Sequence, residues 1–147
     1  MHGHGALSAA APAAPAPARN AATATLKTSI VGVVLMAILV VLVQLIEPLR
    51  AGKFYPVGAT LVGGVTGYLF ARAARASPTV RQVRGGAVCA ALAGALGTAA
   101  ASLLGQLPLQ NVVIAGLTNA VAGSLGALAG LLHLRVSDKR QAASGKR

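Results

Sequence analysis

The chain has 147 residues, 55% of them apolar and only 10% charged, with 13 Lys and Arg against 2 Asp and Glu for a net charge of +11. With two Tyr, two Phe and no Trp it offers no stacking platform for bases, and its cations are spread over every flank rather than gathered in one patch, which sets nucleic-acid binding aside. The single cysteine, Cys89, excludes an intrachain disulfide and a cysteine metal cluster.

Residues 1–25 alternate Ala and Pro and predict a disordered tail, because such a segment cannot bury a core. His2 and His4 in it make a poor metal site, being two ligands on a flexible segment. The first apolar run begins only after Lys27 and is long enough to span a bilayer, which argues against a cleaved secretory signal. This first span covers about 28–46, rich in Val, Leu and Ile, and Glu47-Pro48 closes it. The second covers about 55–74, with Pro56 suited to a first helical turn. From residue 85 to residue 134 there is no Asp, Glu, Lys or Arg. A crossing needs about 20 apolar residues, so this stretch holds two crossings and a turn. The third span is then about 85–105, Gln106 to Asn111 with Pro108 make the turn, and the fourth span is about 112–134. Residues 135–147 form a basic tail. The fold class expected is an all-α integral membrane protein, with four transmembrane helices over 26–134 arranged as two hairpins.

The cations set an orientation. Arg19 and Lys27 precede the first span, Arg72, Arg75, Arg81 and Arg84 follow the second, and Arg135, Lys139, Arg140, Lys146 and Arg147 follow the fourth. Only Arg50 and Lys53 lie in the first connection, and the third has none. Positive flanks stay on the cytoplasmic side, so both termini are expected there, in a bacterial inner membrane with anionic headgroups as partners.

Close helix contact in lipid depends on small residues. The first span has only Gly32 and Ala37, so it is expected at the periphery. The second has Gly63 and Gly67 with Ala71 one turn on. The third has Gly86, Ala90, Gly94 and Thr98 on one ridge and Gly97, Ala101 and Gly105 on another. The fourth has Gly123, with Ala122, Gly126 and Gly130 at four-residue spacing. A shift of the chain against itself lays Gly64 on Gly123 and Gly67 on Gly126, a hint of a duplicated hairpin. So many small faces suggest a homo-oligomer or a place among other membrane subunits.

Ionisable groups inside a membrane are default functional candidates, and this chain has almost none. Glu47 lies at the end of the first span beside Arg50 and Lys53, and reads as an interfacial ion pair or as the mouth of a path. His133 reads as a headgroup-level residue beside Arg135. Asn119 is the uncommon neutral group. With Thr118 and Ser124 it could line a permeation path, or it could hydrogen-bond across helices to Thr60, Thr66 or Gln44. Asn119 followed by Gly123-Ser124 in a Gly-rich span is similar to a segment of the small fluoride-channel family. The spacing is one residue longer here and that family's Thr/Phe/Ser-rich motif is missing, so membership does not follow. No catalytic set, cofactor fingerprint or metal cluster is present in the sequence, and no enzyme is expected.

Three functions follow as expectations. The first is a structural or accessory membrane protein acting through Gly/Ala-mediated helix packing. Its outline is similar to that of the ATP synthase I protein, whose embedded charges this chain lacks. The second is a small-solute channel or transporter. The third is a phage-type holin, which the small size, Gly/Ala-rich spans and basic tail resemble.

Overall fold

In the computed structural model, which describes residues 16–51 and 54–144, the described residues form helices and connections with no strand. The helices are α1 (Ala16–Leu45), α2 (Glu47–Ala51), α3 (Phe54–Ala73), α4 (Thr79–Leu103) and α5 (Asn111–Ser144). Four of them, all but the short α2, are long and apolar enough to cross a membrane.

Helix ends and membrane edges do not coincide. α1 is helical from Ala16, inside the segment expected as tail. Ala has the best helix propensity, and Pro17 falls in the first turn, where its missing N–H has no partner to lose. Residues 1–15, with His2 and His4, lie outside the described residues. α4 starts at Thr79 rather than near residue 85, because Pro78 is extended (φ −57, ψ 146) and the helix begins directly after it. Arg81 and Arg84 are therefore helical. α5 is one helix of 34 residues. At about 1.5 Å per residue it measures about 51 Å, well beyond a hydrocarbon core of about 30 Å. Its last turns carry Arg135, Asp138, Lys139 and Arg140 out of the apolar section.

The α4–α5 connection is fixed by local chemistry. Gly105 takes φ +70, a left-handed conformation that suits glycine. Its N–H donates to Ser102 O (3.0 Å) and the Gln106 N–H donates to Ala101 O (3.0 Å). These two bonds are the Schellman arrangement that ends a helix. The α3–α4 connection is held by Gln82, 2% exposed, whose Nε2 donates to Ser77 O at 2.7 Å.

The long helices alternate in direction. Thr25 of α1 lies beside Cys89 of α4, and Gln44 beyond it bonds Gln106 (2.7 Å). In α3, Gly58 faces Leu39 and Thr66 faces Gly32. One end of the bundle therefore carries Lys27, Arg72, Arg75, Arg81, Arg84 and Arg135. There Arg75 pairs with Asp138, and the Arg72 guanidinium sits 6.0 Å above the Tyr68 ring. The other end holds the α1–α3 and α4–α5 connections.

α3 and α4 occupy the middle, with α1 on one side and α5 on the other; α1 and α5 do not meet. The two small-residue ridges of α4 serve different neighbours. Gly97 and Ala101 face α1, where Met36 and Val40 are buried. Gly86, Ala90 and Gly94 face α5. The outward face of α1 shows Ile30, Val34, Ile38 and Val41, the side chains expected against lipid.

One of the tightest points joins three glycines from three helices. A Cβ on Gly67 would collide with the Gly123 carbonyl, and one on Gly86 would lie 3.1 Å from the same oxygen and 3.3 Å from Gly67 Cα. A Cβ on Gly126 would likewise collide with the Gly64 carbonyl. The shift that lays Gly64 on Gly123 and Gly67 on Gly126 exchanges these two collisions. α3 and α5 thus cross with a local two-fold relation.

Candidate functional site

α3, α4 and α5 close by backbone contact at Gly67, Gly86 and Gly123 in the half nearer the arginines, and part in the other half. α3 and α5 run in the same direction. They touch at the glycines and leave a crevice of about 230 Å³ between their N-terminal turns. α3 lines it with Tyr55, Pro56, Ala59 and Thr60, α4 with Thr98, the α4–α5 connection with Leu107, and α5 with Asn111, Ile114, Ala115, Thr118 and Asn119. A wider bowl of about 570 Å³, lined by Gln44, Leu49 and Gln106 among others, shares Tyr55, Pro56 and Leu107 with it.

Asn119 lies eight residues past Asn111, about 12 Å along the axis at about 1.5 Å per residue. Its side chain is 1% exposed. Two glycines make room for it: a Cβ on Gly63 of α3 would collide with its Oδ1, and one on Gly94 of α4 would lie 2.5 Å from its Nδ2. Nδ2 donates to Ala115 O of its own helix at 2.9 Å. Oδ1 has no hydrogen-bond partner although it is buried. Such a group costs about 1–3 kcal/mol if left unsatisfied.

Nearby polar groups follow the same habit. Thr60 Oγ1 donates to Pro56 O (2.9 Å) and Thr118 Oγ1 to Ile114 O (2.9 Å). The Tyr55 hydroxyl and Thr98 Oγ1 share a bond of 3.2 Å from α3 to α4. Among the described residues, no charged side chain lines the crevice. Among the described residues, no three of His, Cys, Asp and Glu come together as a metal site would need.

The structure brings Asn119 and Thr118 together on the crevice. Ser124 lies deeper and donates to Ala120 O (2.9 Å). Glu47 opens α2, exposed and apart from the crevice. The Asn119 amide forms none of the expected bonds to Thr60, Thr66 or Gln44. Thr60 and Thr66 bond carbonyls of α3, Gln44 bonds Gln106, and close backbone approach at Gly63 and Gly94 leaves the amide only its own helix to donate to. Gly63, Gly67, Gly94, Gly123, Gly126 and Gly130 all face other helices of the same chain.

Sequence reasoning missed Tyr55 as a site residue and read Thr98 only as a small ridge residue. The signal was there: both carry hydroxyls on faces that the small-residue ridges turn inward. Compared with known protein families, with curated proteins and with solved structures, the chain matches none.

Proposed function

We propose that the chain is a four-span inner-membrane protein, two hairpins with both termini cytoplasmic, and that its crevice takes a small polar solute on its way across the bilayer. It is then a channel or transporter. The observation that carries this reading is the crevice between α3 and α5, where Tyr55, Thr60, Thr98, Asn111, Thr118 and Asn119 gather polar groups within otherwise apolar helices.

The accessory reading drew on spare small-residue faces. The six glycines in question meet neighbours within one chain, and the outer surface exposes many Leu, Val and Ile side chains. That surface suits lipid. Proton coupling has no support, since Glu47 and Asp138 sit at opposite ends of the bundle and neither lines the crevice. Passage requires the Gly67–Gly86–Gly123 contact to part.

Reconstitution into proteoliposomes tests the reading. Small polar solutes should cross faster than in protein-free vesicles, and Asn119→Leu should abolish the gain. Protein-free rates for every small solute would refute it. Release of a large trapped dye would point to a holin-type lesion instead.

A further inference from the structure

We propose that the crevice selects small uncharged solutes that donate hydrogen bonds, the chemistry of a small amide or polyol. This rests on the transport reading above and adds the substrate class. A threonine hydroxyl has one hydrogen to give. Thr60 and Thr118 each give theirs to a carbonyl of their own helix, at 2.9 Å. Asn119 turns its Nδ2 the same way. What Thr60 and Thr118 offer the crevice is oxygen lone pairs, while the Asn119 Oδ1 is packed against Gly63. Asn111 at the mouth and one hydrogen of the Tyr55–Thr98 pair are the remaining side-chain donors.

Charge is opposed from both ends of the crevice. The N-termini of α3 and α5 stand at the mouth, and their positive dipole ends disfavour a cation. Further in, the lone pairs of the Thr60 and Thr118 hydroxyls disfavour an anion. Among the described residues, no ionised side chain lines the walls to neutralise either. A volume of about 230 Å³ suits a solute of a few heavy atoms, since each liquid water claims about 30 Å³.

The experiment compares solutes in proteoliposomes of the full chain. Urea and glycerol are neutral donors, trimethylamine N-oxide is neutral but only accepts, and sodium and chloride are the charged controls. Urea or glycerol should cross well above protein-free vesicles, with the other three at background. Thr118→Val keeps the side-chain shape at an exposed position and should slow the favoured solute roughly ten-fold, the loss of one hydrogen bond. Trimethylamine N-oxide or an ion crossing as fast as urea would overturn the substrate class while leaving transport standing, as would full urea flux in Thr118→Val. Background rates for all five solutes would overturn the transport reading and this inference with it.

Discussion

Gly123→Ala should weaken the bundle although alanine is the better helix former. Gly123 stands where α5 is wedged against α3 and α4. Its new methyl would collide with the Ala90 methyl and lie 2.6 Å from the Gly86 carbonyl oxygen, where ordinary contact begins at 3.4 Å. The shortfall of 0.8 Å is against backbone, which no rotamer change relieves. α5 must back away, and it then loses the contact of its Gly123 carbonyl with Gly67 and Gly86. Overpacking of this kind costs about 1–3 kcal/mol, against about 1 kcal/mol gained in helix propensity. The upper end applies to a backbone clash, so the expected net loss is about 2 kcal/mol. Gly116→Ala is the control, since its methyl would stand 3.7 Å from the Ala95 methyl in ordinary contact. It should gain up to about 1 kcal/mol. Unfolding by SDS titration, followed by circular dichroism, measures both. Gly123→Ala as stable as the parent, or tracking Gly116→Ala, would refute the reasoning.

The same contrast recurs within α3. Gly67→Ala meets the Gly123 carbonyl and should destabilise, whereas Gly64→Ala meets only Ala122 O at 3.8 Å and should be tolerated in the same titration. Tyr55→Phe removes the bond to Thr98 and should cost about 0.5–1.5 kcal/mol of unfolding free energy. Asp138→Asn breaks the pair with Arg75, whose side chains are 58% and 55% exposed, and should change stability by no more than about 1 kcal/mol, less at high salt. A reporter fused after Arg147 should read as cytoplasmic; an extracytoplasmic reading would reverse the orientation.

The long apolar helices were legible from runs of residues without charge, because length and hydropathy alone decide whether a segment can cross a bilayer. Their ends were not. Arg81 and Arg84 mark where a membrane edge should fall, but Pro78 decides where the helix starts, and Arg135 likewise does not stop α5. The two ridges of α4 were visible in the sequence, and only the structure assigns Gly97 and Ala101 to α1 and Gly86, Ala90 and Gly94 to α5. Spacing gives the face a residue shares and leaves its neighbour open. Asn119 stood out as a polar group in an apolar run. Its setting did not, since Gly63, Gly94 and the Tyr55–Thr98 link reach it from helices distant in the chain. Gln82 passed unnoticed beside four arginines, yet it is the buried side chain that ties down the α3–α4 connection.

Cysteine accessibility tests most directly whether a polar crevice enters from the arginine-poor end and stops at the glycines. In a Cys89→Ala background, single cysteines are placed at Ala115 and Thr118 on the crevice and at Ala127, which is 0% exposed beyond it. A small membrane-impermeant thiol reagent applied from the arginine-poor side should label residues 115 and 118, with urea slowing the reaction, and leave residue 127 untouched. No labelling at 115 and 118, or labelling at 127 just as fast, would contradict the crevice.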